Sequence, residues 1–341
     1  MKVDVAVGGP ELRQISALAR LAEDIGFDAL YTAESCHDPF LPLAGAAEHT
    51  VRIGLGTSIA LALGRSPRTL AHLANDLQEY SRGRFVLGLG AQVGAQAGGR
   101  VPVPGDGLQY AVSFQPPVPR IRETIRTVRT IWRSWQNDAV PHAHFTPPPH
   151  PFGPPKIYLA GVGPRMTRLA GELADGLILH GFTSAAHLRE TTVPELERGL
   201  HEAGRSWEDI EVVAPALLVT GATDEACERS RRRAREAIAF YGAAPAYRRV
   251  LESVGRAGLH DELTALARQG RWNAMPALIG DDLVEEFAVC GELKDIPELL
   301  VRRYGALCRR VTLMGPFHQD PGTWAGLVAR IHEITCEPVP S

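Results

Sequence analysis

Two periods of hydrophobicity take turns along this chain. Lys2–Val7 reads Lys-Val-Asp-Val-Ala-Val, a strand, and Leu12, Ile15, Leu18, Ala19, Ala22 and Ile25 then recur at helical spacing. Gly26 follows, where a helix end favours glycine. Residues 28–32 and 51–60 predict the second and third strands. Ser66-Pro67 supply the N-cap and first turn of a helix buried through Leu70, Leu73, Ala74 and Leu77, and residues 84–89 predict the fourth strand. Lys156–Ala160, residues 176–180, residues 211–220 and Arg310–Met314 predict strands five to eight. Helices are predicted over 119–135, 185–203, 224–241 and 323–334, with one more after Gly163. Residues 91–117 lack either period and are rich in Gly, Pro and Gln, as is usual for a long functional loop. Residues 245–305 read as several short helices, an insertion before strand eight. Eight strands alternating with helices predict a parallel (β/α)8 TIM barrel formed as one domain over residues 1–341. A doubly wound sheet would stop nearer six strands.

Composition changes this picture little. Of 341 residues, 45% are hydrophobic and 22% charged, enough apolar surface for a large core. A formal net charge of −3, with no long basic run, argues against nucleic acid as a partner. The five cysteines are scattered with no C-x-x-C pair, which fits a reducing compartment. No apolar run reaches membrane-spanning length and the N-terminus runs directly into a strand, so a cytoplasmic protein is expected, with no membrane partner. His142, His144 and His150 have Pro-rich flanks and no nearby Cys or acidic ligand, which argues against a metal site. Gly88-Leu-Gly90-Ala-Gln-Val-Gly94 places its last glycine one residue late for a dinucleotide fingerprint, and a loop follows it instead of a helix.

The most informative stretch runs from Lys156 to His180. It reads as strand, glycine turn, helix, strand. Gly161 and Gly163 allow close backbone approach to a ligand and positive φ, and Pro164 suits a first helical turn. The free N–H groups there, with the positive end of the helix dipole, form a seat for phosphate. In a barrel of this kind, chemistry gathers at the C-terminal ends of strands. That selects Glu34, Ser35 and His37 after strand two, Ser58 and Ile59 in strand three, Gln92 after strand four, Gly161 to Gly163 after strand five and His180 after strand six. Each has a structural alternative. Glu34 either acts in chemistry, caps the next helix or pairs with an arginine. His37 either acts or bonds within its own loop, and His180 either binds a ligand or packs in the core.

Several segments, taken in order, carry a resemblance: Gly26-Phe-Asp-Ala-Leu-Tyr, Arg52-Ile-Gly-Leu-Gly-Thr-Ser-Ile-Ala, Ser66-Pro67, Ser81-Arg-Gly-Arg-Phe-Val-Leu-Gly-Leu-Gly90, Ile157-Tyr-Leu-Ala-Gly-Val-Gly-Pro164 and Ala174-Asp-Gly176. Over nearly the whole chain these resemble the luciferase-like monooxygenase superfamily, more closely its coenzyme F420-dependent oxidoreductases. The resemblance implies a barrel of the bacterial-luciferase type with a deazaflavin, or alternatively FMN, at its mouth. It implies a non-proline cis bond at Ser58–Ile59 propping the ring, and the backbone of Gly161, Val162 and Gly163 on the phosphate. Ser35, Ser58, Ile59, Gln92 and His180 join them as cofactor-binding residues, with Glu34 and His37 as catalytic candidates. The family's acidic proton donor after strand four falls on Val93, and a nearby asparagine-like contact on Gln96, so the substrate pocket is expected to differ there. Three functions follow: hydride exchange between F420 and a small organic substrate; an FMN-dependent monooxygenase served by a separate reductase; or a cofactor-binding barrel without catalysis. A homodimer is the expected assembly.

Overall fold

A computed structural model describes residues 1–8, 12–35, 37–91, 116–136, 146–315 and 317–336. Its strands are β1 (Lys2–Val7), β2 (Ala29–Thr32), β3 (Gly54–Thr57), β4 (Ala60–Leu61), β5 (Phe85–Gly90), β6 (Lys156–Ala160), β7 (Gly176–Ile178), β8 (Glu211–Val219), β9 (Ala288–Cys290) and β10 (Arg310–Met314). Eight of them close a parallel barrel in the order β1-β2-β3-β5-β6-β7-β8-β10, with β10 returning to β1. The short β4 adds to the end of β5, and β9 pairs with the C-terminal half of β8. The predicted (β/α)8 barrel is the observed one. No described helix is long and apolar enough to cross a membrane.

Alternation along each strand sorts side chains into two layers. Val3, Val5, Ile157, Leu159, Val212, Ala214, Val311 and Leu313 belong to the main core shared with the surrounding helices. The intervening positions face the barrel interior. Towards the mouth these are Tyr158, Ile178 and Val213, against which Ile59 and Ala160 pack. Beside them lie Asp4 and Arg310, buried and joined by two hydrogen bonds of 2.8 and 2.5 Å. The Tyr158 hydroxyl donates to the carboxylate of Glu211 beside them. Burial and the carboxylate next to it hold that phenol far above the usual tyrosine range. Gly176 makes room for the Tyr158 ring: a Cβ there would lie 2.5 Å from it.

The predicted elements differ from the observed ones for local reasons. The third strand is not continuous over 51–60. The N–H groups of Val51, Arg52 and Ile53 donate to the Glu23 carboxylate instead of a neighbouring strand, at 3.1, 2.6 and 2.8 Å to one oxygen. Those bonds hold Glu23 below the usual carboxylate range despite its partial burial. The strand is interrupted again at the Ser58–Ile59 bond before β4. The predicted helix over 185–203 breaks into a short turn at Ala185–His187, a wide turn at Leu188–Thr192 and a helix at Val193–Glu202. Pro194 has no N–H to give to the carbonyl four residues back, which favours the wider turn. The sixth predicted strand ends at Ile178, before His180. Two elements escape the pattern: the helix Leu41–His49, whose small apolar residues have no clear period, and the three-residue β9.

The insertion from 245 onward does form short helices. Together with Phe182, Val219 and the long helix Asp224–Gly242, it builds a core of its own, including Tyr247, Leu251, Leu263, Met275 and Phe287.

Candidate functional site

The described candidate residues lie at or just beyond the C-terminal ends of the strands. Ser58–Ile59 is a cis peptide bond between two non-proline residues, as the resemblance implies. The Ser58 N–H donates to the Thr32 carbonyl at 2.7 Å, and the Ile59 carbonyl accepts from the Glu34 N–H at 3.0 Å. The ends of β2 and β3 are therefore stitched together on both sides of this bond. Gly88 permits the close approach of β5: its carbonyl accepts from the Thr57 hydroxyl at 2.7 Å, and a Cβ on it would lie 1.8 Å from the Thr57 carbonyl oxygen. A Cβ on Gly90 would meet Ile59 Cδ1 at 2.3 Å and Ala160 Cβ at 3.4 Å. The cis bulge and the turn that begins at Gly161 thus flank a single glycine.

That turn runs into the helix Pro164–Leu173, with Gly163 as its N-cap residue and Pro164 first in the helix. The expected positive φ is not found. Gly163 has φ −81° and ψ 155°, and Gly161 is absent from the positive-φ glycines. An extended N-cap is the ordinary way into a helix, so no left-handed residue is required. What glycine supplies at 163 is room, since a Cβ there would have no atom of the described residues within 4 Å. The turn's hydrogen bonds occupy the N–H groups of Gly161 (to Ile178), Met166 and Thr167 (both to Gly163). Among the described residues, those of Val162, Gly163 and Arg165 are left without an acceptor. Free donors at a helix N-terminus beside open space suit a phosphate.

The other candidates fall as follows. Glu34 takes up one of its alternatives: its carboxylate accepts from the Leu61 N–H at 2.7 Å and pairs with Arg65 at 2.5 Å. Arg65 also reaches Asp38 at 2.8 Å, and this pairing, with two backbone N–H bonds, holds Asp38 below the usual carboxylate range. Ser35 and His37 are exposed on the connecting loop, where the Ser35 N–H donates to the His37 carbonyl at 3.4 Å. Gln92 lies outside the described residues, as do Val93, Gln96, His142 and His144. His180 sits against Tyr241 and Tyr247, ring centroids 4.2 and 4.7 Å away. Its Nδ1 accepts from the Phe182 N–H at 3.0 Å, which puts the ring proton on Nε2. Burial pushes its pKa down to about 4.

Three participants had no signal of their own in the sequence. Arg65 entered only as an unnamed partner for Glu34. Tyr241 comes from the helix Asp224–Gly242 and Tyr247 from the inserted helical region, and only the tertiary fold puts them on His180.

The low pKa of His180 makes a pH prediction. Its folded value lies below the value near 6.5 of a free imidazole, so the unfolded chain takes the proton first. The contribution is complete above about pH 6.5 and is lost as pH falls toward 4, on the order of 3 kcal/mol in all. In urea titrations at pH 7 and pH 4.5, His180→Gln should lose less stability on acidification than wild type. Equal losses would mean that His180 charges freely in the folded protein.

Comparison with known proteins decides the family. The description "luciferase-like monooxygenase" matches residues 2–310. The chain belongs to the luciferase-like monooxygenase family. An uncharacterised protein of Mycobacterium tuberculosis is 39% identical over 323 residues, covering 91% of this chain and 92% of that one. A putative coenzyme F420-dependent oxidoreductase of the same organism is 31% identical over 316 residues, covering 82% and 84%. Among luciferase-like structures, the F420-dependent tetrahydromethanopterin reductase of Methanopyrus kandleri superposes with a TM-score of 0.71 over 96% of both chains, at 20% identity. At that identity the likeness is one of fold. It extends to the barrel and its surrounding helices.

Proposed function

We propose that this luciferase-like barrel is an oxidoreductase that binds coenzyme F420 and exchanges hydride with a small organic substrate. One observation carries the reading: Gly90 lies between Ile59 of the cis bond and Ala160, and the turn that follows Ala160 ends at Gly163 in N–H groups without an acceptor among the described residues. A phosphate-bearing tricyclic cofactor needs that pair of features, an anion anchor at one end and a prop for a flat ring at the other. The residues fit the group, because among the described residues no atom lies within 4 Å of a Cβ on Gly163 and the neighbouring donors have no acceptor. The 31% identical relative described as F420-dependent supports the deazaflavin over FMN.

In this reading the cofactor supplies the hydride chemistry, and the chain supplies position and dryness. Val162, Gly163 and Arg165 would hold the phosphate through backbone N–H groups. Ile59, packed on Tyr158, Ile178 and Val213, would present an apolar floor to the ring. His180, neutral and protonated on Nε2, would donate a hydrogen bond without carrying charge into the site. Glu34 and Arg65 neutralise one another, so Glu34 would shape the bulge through Leu61 more than act as a free base.

Titration of the purified protein with oxidised and reduced F420, and in parallel with FMN, tests the proposal. Micromolar or tighter F420 binding, with FMN much weaker, is expected. Tight FMN binding without F420 binding would replace it with the FMN-dependent monooxygenase. Cofactor binding without turnover across alcohols, aldehydes and enones would favour a barrel that has lost catalysis.

A further inference from the structure

One peptide group of the turn before Pro164 is held by a buried histidine outside the strand ends. We infer that His187 is a positioning residue for the anchored anion: its imidazole captures the Val162 carbonyl and so aims the Gly163 N–H into the seat. The inference rests on the proposed phosphate-bearing cofactor.

His187 is 1% exposed, and its Nε2 lies 3.1 Å from the Val162 carbonyl oxygen. A carbonyl oxygen only accepts, so Nε2 must carry the proton. Nδ1 is then an acceptor, and it is buried with no partner among the described residues. The ring therefore spends its one available bond on Val162 and leaves its other polar atom unsatisfied. Burial lowers the basicity of the ring, consistent with a neutral donor. The bond from Val162 to Gly163 is trans, because Ser58–Ile59 is the cis bond among the described residues. In a trans peptide the C=O and the following N–H point in opposite directions. Holding the Val162 carbonyl on the His187 side turns the Gly163 N–H to the other side.

The histidine is itself held in place. Ser184 caps its turn by accepting from the His187 N–H at 2.9 Å, and the Ser184 hydroxyl meets that of Ser253 at 3.1 Å. Val162 packs its side chain against the core of the inserted helical region. Without the imidazole donor, rotation of this peptide would put carbonyl lone pairs where the anion sits. That loss is specific to a charged ligand.

The test compares phosphate-bearing and phosphate-free forms of the same cofactor: F420 against its phosphate-free deazaflavin core, and FMN against riboflavin. His187→Phe keeps a ring and removes the donor, and His187→Gln restores a donor. For His187→Phe, the dissociation constant of the phosphate-bearing form should rise about tenfold, while that of the phosphate-free form stays within about twofold. His187→Gln should return the first value to near wild type. Equal weakening of both forms, or of neither, overturns the inference, because a ring that merely fills space cannot tell them apart. Should His187→Phe fail to fold in a thermal melt, His187→Met gives the same donor-free comparison. A wild-type protein that binds both forms equally removes the seat itself and the inference with it. Full discrimination in wild type, kept by the donor-free variant, removes the inference alone.

Discussion

Gly163→Asp should lower cofactor affinity about 100-fold or more while leaving the protein as stable as wild type. Two properties of the position separate these effects. Among the described residues nothing lies within 4 Å of a Cβ there, and φ −81° with ψ 155° suits any residue. Aspartate is also among the favoured N-cap residues, so the helix Pro164–Leu173 should gain a few tenths of a kcal/mol from it. The same carboxylate would take the first-turn N–H groups for itself and set a negative charge against an incoming phosphate. Gly163→Ser separates charge from bulk and should weaken binding less. Isothermal titration with thermal melts of the same samples reads both quantities. Unchanged affinity for F420 and FMN in the aspartate variant would move the phosphate elsewhere. A collapsed melting temperature would make Gly163 a structural residue.

The second large effect lies inside the barrel. Asp4→Leu should cost about 3–5 kcal/mol of stability, because it strands the Arg310 guanidinium in the interior. Arg310 is 7% exposed and Asp4 fully buried. The remaining carboxylate, Glu211, is 3.9 Å from Arg310 and already accepts from Tyr158, so it replaces little of the loss. The double variant Asp4→Leu/Arg310→Met removes both charges and should recover most of it, as for other buried pairs exchanged for apolar side chains of similar volume. Chemical denaturation of the single and double variants gives the coupling directly. A double variant as unstable as the single one would mean that interior packing, not the unpaired charge, sets the cost.

Period and turn chemistry carried much of this structure in readable form. Gly26 closes its helix in the left-handed region at φ 98°, and Ser66 caps the helix Pro67–Tyr80 by accepting from the Thr69 N–H. Both signals are local, so a sequence can display them. The misread segments share the opposite property. Residues 51–53 are alternating enough for a strand, yet their N–H groups go to Glu23, 28 to 30 positions earlier. The turn at residues 161–164 was legible in its glycines and proline, whereas its backbone angles were not, because room and flexibility call for the same residue. His187 was invisible for a related reason. A histidine among Ala-Ala-His-Leu-Arg has no pattern around it, and its meaning comes from a carbonyl 25 residues away.

The separate core of the inserted region has a consequence for how ligand capture is tied to order. Val162 leans on that core and His187 is braced to it through Ser184 and Ser253, so the anchoring turn straddles two hydrophobic units. Cooperative units of this kind open independently of the whole fold. A loosened insertion would therefore release the anchor while the barrel stays closed, and a seated anion would in turn weld the two units into one.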